Sequence, residues 1–456
     1  MGRKKVSMEI INPNAAGIDV GSRSHYVAVG QSKDDVKEFG VYAEELTALG
    51  QWMKSKDITT VAMESTGDYW QNLFTELVKQ GFEVVLVNGK FTKNAKGKKT
   101  DVKDCRWIQQ LHTLGLLSGS FLPDETTEKL RTYCRQRGNW VDQAASTTHK
   151  MQKFLKFLNF RLDVVVKDVC GLTGLAIIDD ICKGNLDPEK LAKHRHYNCR
   201  KSEEEIAKAL HGNNREDFLF GLKQEYETYL FLQKKIEECD KQMEKFINAE
   251  LKKFPAKRAL KTTEKPYKRI NKNAPKIKNL NQIAYQYFEG VDLFTIEGLS
   301  HATVVSIMSE IGPEGFKKFE SGKHFTSWLR LAPNNKISGG KILSHRIPKG
   351  SNRLKIAFRL AANSIGNLKD THLSNFFRRV AYRKGRTAAV SATARKLAVI
   401  VWNMMVKKVP YLPPTEYLFL DQKRKLKMVA RLKKNIAKLE LKPEDLGFSP
   451  SLIPTN

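Results

Sequence analysis

The chain has 456 residues, 41% of them hydrophobic, enough apolar material for two or three globular domains. Its 79 Lys plus Arg stand against 49 Asp plus Glu, a formal net charge of +30. An ordinary metabolic enzyme needs no such imbalance; a polyanion partner, DNA or RNA held by phosphate contacts and counterion release, does. No run of 18 apolar residues occurs, so no transmembrane helix is expected. The opening residues carry charges with no apolar core behind them, unlike a signal peptide. The cysteines Cys105, Cys134, Cys170, Cys182, Cys199 and Cys239 form no CxxC pair and fit free thiols in a reducing compartment.

Residues 15–120 alternate between strand and helix patterns. Strands are expected at 18–20, 25–29, 38–42, 59–63 and 82–87, and helices at 44–54, 69–80 and 100–117, with a basic loop at 90–99. Three adjacent strands, then helix, strand, helix, strand and helix, is the order of a ribonuclease-H-like fold. Residues 125–165 and 200–250 read as long polar helices. In the second, Leu219, Leu222, Tyr226, Tyr229, Leu230 and Ile236 fall at spacings that suit helix pairing, either in a coiled-coil dimer or in a packed two-helix stalk. Residues 251–280 are basic and poorly periodic, as in a linker that orders on nucleic acid. Residues 290–410 form a second, mostly helical unit. Within it, residues 296–312 resemble a helix-hairpin-helix, which either faces a phosphate or simply packs. A basic amphipathic helix is expected from Asp421 onward.

Four carboxylates stand out. Asp19 lies in Gly17-Ile-Asp-Val-Gly-Ser and Glu64 in Val61-Ala-Met-Glu-Ser-Thr-Gly, each at the end of an apolar run, while Asp101 and Asp104 share one face of a helix start. Two strand-borne and two helix-borne acids supply the hard oxygens that Mg2+ takes in phosphodiester chemistry. Read singly, Asp101 and Asp104 are first-turn acids complementing a helix dipole, and Asp19 is a turn residue. Two rival sites are weaker. Gly17-Ile-Asp-Val-Gly-Ser also looks like the first phosphate loop of actin-like ATPases, but the second loop and adenosine motif are missing. Cys182, His194, His196 and Cys199 hold zinc-type donors at unsuitable spacing.

A second constellation surrounds Ser338, which two glycines follow, so backbone there can approach a phosphate closely. Lys336, Lys341, Arg346, Lys349 and Arg353 flank it. A serine among cations is either an activated nucleophile on phosphorus or a hydroxyl that grips a phosphate.

On these residues the chain resembles the DEDD transposases of the insertion-sequence one-ten family, relatives of the Piv-type DNA invertases. The resemblance rests on Gly17-Ile-Asp-Val-Gly, Met63-Glu-Ser-Thr-Gly, Asp101-x-x-Asp104, Ile296-Glu-Gly-Leu-Ser, Leu331-Ala-Pro through Ser338-Gly339, and Lys349-Gly-Ser-Asn-Arg-Leu354, over about 15–120 and 290–405. Where the family often has Gly-Ile-Gly-Pro, this chain has Gly298-Leu-Ser-His.

The resemblance implies an α/β plus α architecture: a RuvC-like, ribonuclease-H-like domain at 1–122, a helical coiled-coil middle at 123–250, a basic linker at 251–289, a mostly helical transposase domain at 290–412 and a basic tail at 413–456. It places Asp19, Glu64, Asp101 and Asp104 in the magnesium-binding set and Ser338 as nucleophile. It further implies donor and target DNA, a structured guide RNA, a homodimer or homotetramer whose sites combine protomers, and a prokaryotic, cytoplasmic, nucleoid-associated setting without a membrane. Lys96, Lys98, Lys99, Lys336, Lys341, Arg346, Lys349 and Arg353 are the expected nucleic-acid contacts. The competing functions are a RuvC-like structure-specific endonuclease using metal-activated water and a non-catalytic RNA-binding protein.

Overall fold

The computed structural model of the chain describes residues 9–65, 67–92, 100–252, 271–350, 352–412, 418–440 and 445. It divides into two units, residues 1–122 and 123–456.

The first unit is built on strands β1 (Ala15–Val20), β2 (Ser24–Ala28), β3 (Val36–Gly40), β4 (Thr60–Glu64) and β5 (Glu83–Val87) in the order β3-β2-β1-β4-β5. β1, β2 and β3 pair antiparallel, while β1–β4 and β4–β5 pair parallel. The central strands read as unbroken apolar runs because both faces are covered. On one face Ala16, Ile18, Val20, Val61 and Met63 meet Leu46, Leu49 and Met53 of α1 (Ala43–Lys54) and Leu73 and Leu77 of α2 (Trp70–Lys79). A short helix α3 (Gly89–Thr92) follows β5, and α4 (Asp101–Thr113) covers the other face. This mixed sheet between helices is the order expected from the sequence. Three boundaries differ by two residues or more. The first strand begins at Ala15 rather than at 18. The third strand lies two residues earlier, where Phe39 pairs with His25. α4 stops at Thr113 rather than 117, because Gly115 takes a left-handed φ of 66° and folds its own N–H back to His112.

The second unit is mostly helical. α5 (Glu125–Phe157) leads to α6 (Leu162–Val165), α7 (Leu172–Cys182), α8 (Pro188–Ala192) and α9 (Glu203–Ala209), and α10 (Glu216–Lys252) returns alongside α5. The two long helices are antiparallel: Lys150 pairs with Glu225 at 3.2 Å and, further along, Arg137 with buried Asp240 at 2.6 Å. Leu222, Tyr226 and Tyr229 are buried against this hairpin, with Leu219 and Ile236 packed beside them; Leu230 is exposed. The stripe read as a pairing surface is thus spent within the chain. The breaks come at Asn159 and Asn214, both left-handed (φ 63° and 52°), which end α5 before 165 and start α10 only at 216. His194 bonds Asp180 and His196 stacks on Tyr197, so the zinc-type donors have other partners. Most of the basic segment 251–280 lies outside the described residues; Lys272 near its end pairs with Asp168 at 2.7 Å.

Beyond this come α11 (Leu280–Tyr287), α12 (His301–Glu310), α13 (Gly312–Gly315), α14 (Gly322–Trp328), the ribbon β6 (Lys336–Ser338) and β7 (Lys341–Ser344), α15 (Arg353–Ile365), α16 (His372–Lys384), α17 (Arg386–Lys407) and α18 (Leu418–Lys438). Glu310 on α12 is gripped by Arg131 and Arg135 of α5, the latter at 2.9 Å. α17 is long and apolar enough to cross a membrane by composition, but Leu397, Ala398 and Val401 are fully buried and α14, α15 and α16 pack around it. In the hairpin at 296–312, a Cβ on Gly298 (φ 79°) would meet Ala361 O and Ile365 of α15. That turn is filled by packing rather than open to a phosphate.

Candidate functional site

Gly17 sets the geometry of the acid edge. A Cβ there would collide with Gln109 N and Cys105 O, so only glycine lets the α4 backbone lie against β1. Side chains alternate along a strand, so Asp19 points to the same face as Gly17, toward α4. The register pairs Ile18 with Met63, which places Asp19 and Glu64 one step further, side by side on neighbouring parallel strands roughly 4.8 Å apart. Both lie at the carboxyl ends of their strands, where open α/β sheets bind ligands.

Glu64 is held from below. Thr92 on α3 donates its hydroxyl to Glu64 Oε2 at 2.5 Å, and the bare backbone of Gly89 leaves room for the carboxylate. Asp101 and Asp104 occupy the first turn of α4, where Thr100 caps the helix by accepting from Lys103 N. Tyr26 faces Asp19 across the β1–β2 pair. A hydrogen bond to Glu38 raises the Tyr26 phenol above its usual range first, then burial, with the charge of Asp101 adding to it. Burial pushes the Cys105 thiol up to about 12, and Asp19 contributes. Asp19, Asp101, Tyr26 and Cys105 therefore share one neighbourhood where β1, β2 and α4 meet. Among the described residues no three acids, histidines or cysteines come within reach of a single metal ion. The arrangement is an open edge rather than a closed cage. Its donors nonetheless fit a hard divalent cation: an aligned Asp–Glu pair with two further carboxylates on the helix that covers them.

Ser338 belongs to the second unit. The β6–β7 ribbon turns through Gly339 and Gly340, both at positive φ (54° and 74°), a two-residue turn that only glycine adopts without strain. Ser338 stands directly opposite Lys341 and Ile337 opposite Ile342; the register then shifts, and Lys336 pairs with Ser344. The ribbon is exposed, as are Arg346, Lys349 and Arg353 beyond it. Lys96, Lys98 and Lys99 lie outside the described residues. Sequence reasoning missed Thr92 and Tyr26, which carry no motif and enter only through sheet register and helix packing. It also missed Arg330, Lys355 and Arg359, which bring the loop after α14 to α15.

Residues 16–160 match the family model DEDD_Tnp_IS110, described as a transposase. Residues 292–378 match the Transposase IS116/IS110/IS902 family. No curated protein matches the chain. The two matches cover just over half of the sequence, in the order acid edge then serine ribbon, and the chain belongs to the IS110 family of transposases.

Proposed function

We propose that this transposase is an RNA-guided DNA recombinase in which Ser338 attacks the DNA backbone and Asp19, Glu64, Asp101 and Asp104 hold Mg2+. The observation that carries the reading is the mounting of Ser338: an exposed residue beside a two-glycine turn, paired with Lys341 across the ribbon. In the step itself the Ser338 oxygen bonds to phosphorus and a sugar oxygen leaves. The serine proton passes to solvent and the leaving oxygen takes one up. The phosphoserine ester keeps the bond energy, so a second sugar hydroxyl can reverse the step on a new strand without a high-energy cofactor. Lys336, Lys341 and Arg346 meet the charge that grows on the phosphate oxygens. When bound, the metal adds neutralising charge at phosphate oxygens.

A guide RNA and two DNA duplexes fit a chain of charge +30, because base pairing then selects sequence while the protein grips backbone. Assembly as a homodimer or homotetramer would bring acids and serine together from different protomers. Mass spectrometry of trapped protein–DNA adducts tests the scheme. Wild type should yield a nucleotide on Ser338, Ser338→Ala none, and Asp101→Asn none while still binding RNA. Cleavage without any adduct would discard the nucleophile and leave a metal-and-water endonuclease.

A further inference from the structure

The stem of the serine ribbon, Pro348-Lys349-Gly350, rests on cations. Arg330 donates Nη1 to the Lys349 carbonyl at 2.6 Å, and Lys355 donates Nζ to the Pro348 carbonyl at 3.0 Å. Arg359, one turn along α15 from Lys355, donates to Ser391 Oγ at 2.6 Å. Gly350 has a φ of 147°, and a Cβ there would strike the Arg330 guanidinium, so that group lies close against bare backbone.

Among the described residues no acid pairs with these cations. Lys355 is only 9% exposed, yet the charged groups acting on it are Arg359 and Arg330. Burial first, and then those two cations, hold its ammonium below the usual lysine range. Among the described residues none of the three has an acidic partner; their hydrogen bonds go to carbonyls and a hydroxyl. From residue 321 to 369 the sequence contains no Asp or Glu, but ten Lys or Arg. The site also lies at the start of a 13-residue helix whose first turn has no acid and carries Arg353 and Lys355, where the backbone dipole favours anions. Burying a lysine beside two arginines costs stability unless something negative completes the group. Exposure is graded, with Arg330 open to solvent, Arg359 half-buried and Lys355 beneath, so the cluster is reachable from outside.

We infer that Arg330, Lys355 and Arg359 form a seat for one phosphate group of the DNA backbone, at the stem of the ribbon rather than at its tip. Two guanidinium forks and an ammonium match the several oxygens of a phosphate. Seating one would fix the stem, and with it the reach of Ser338. The inference rests on the reading that this ribbon meets DNA, though not on Ser338 being the nucleophile.

Thermal melting of the full chain, titrated with inorganic phosphate at constant ionic strength, tests the seat. Phosphate should raise the melting temperature of wild type and of Ser338→Ala. Lys355→Met should melt higher than wild type without phosphate, since repulsion is relieved, and should lose most of the phosphate response. A Lys355→Met that melts lower and keeps the full response would show a mere brace for the Pro348 carbonyl. Arg330→Gln, at an exposed position, gives the same readout should Lys355→Met fail to fold. The slope of log affinity against log salt then identifies the source. For a DNA duplex it should flatten by about 0.9 in the variant, one phosphate contact, with the slope for RNA unchanged. Flattening for RNA alone would assign the seat to RNA and overturn the proposal.

Discussion

Asp19 and Glu64 end strands that are covered on both faces, with α4 pressed onto the glycine beside them, whereas Ser338 rides a ribbon whose Ile337, Ile342 and Leu343 are 63%, 49% and 69% exposed. Under the proposed scheme, with the acids as metal ligands and Ser338 as the attacking group, the two mountings suit different tasks. Metal ligands must keep their spacing to fractions of an ångström, which a packed sheet and helix impose. A group that attacks a polymer from outside must project. A two-stranded ribbon has little stability of its own, so its shape depends on its stem. Here the stem is held by Arg330, Lys355 and the bond from Asn334 N to the Arg346 carbonyl at 3.1 Å.

Glycine substitutions test that contrast most strongly. Gly17→Val drives a side chain into the α4 backbone and should destabilise the first unit by about 3 kcal/mol or more. Proteolysis of residues 1–122 under increasing urea measures it, and an unchanged midpoint would show that α4 is not clamped to β1. Acid is the next lever. His25 and His112 are buried, and burial holds both imidazoles below their usual value of 6.5. For His112 the charge of Glu83 opposes this only in part, and its Nε2 shares a hydrogen bond with Thr60 Oγ1 at 2.9 Å. The folded unit therefore keeps both rings neutral while the unfolded chain takes up protons below about pH 6.5. Stability should be level above that pH and fall as pH drops through it toward the lower folded values. The same urea assay, repeated at neutral and mildly acid pH, would refute this with a flat midpoint. The smallest effect is expected at Gly339→Ala, where the new methyl meets nothing but the backbone stays at φ 54°. It should cost about 1 kcal/mol. Hydrogen exchange should show faster opening at Ile337 and Ile342 with the first unit untouched; slowed exchange would mean that the turn prefers a different form.

Much of this was readable one residue at a time. Apolar runs and turn residues announce the sheet of the first unit in its order, because two-sided burial demands continuous β-branched sequence. Boundaries drifted where a single left-handed residue decides, as at Gly115, Asn159 and Asn214, since a backbone dihedral leaves only a faint compositional mark. The periodic face from Leu219 to Ile236 was plain, but periodicity states that a face is covered and not by what. α5 of the same chain covers it.

From composition and spacing alone came a basic, nucleic-acid-type chain, a mixed sheet followed by helices, and the candidates Asp19, Glu64, Asp101, Asp104 and Ser338. Tertiary structure alone decided what lies beside what. Strand register sets Asp19 next to Glu64 across 45 positions of sequence. Helix packing turns Gly298 into a core contact. The meeting of a loop, a ribbon stem and α15 leaves Lys355 buried within reach of the charges of two arginines. The physical reason is common to all three: local pattern follows from each residue's own preference for water and backbone angle, while charge and contact follow from distance, which a linear sequence does not record.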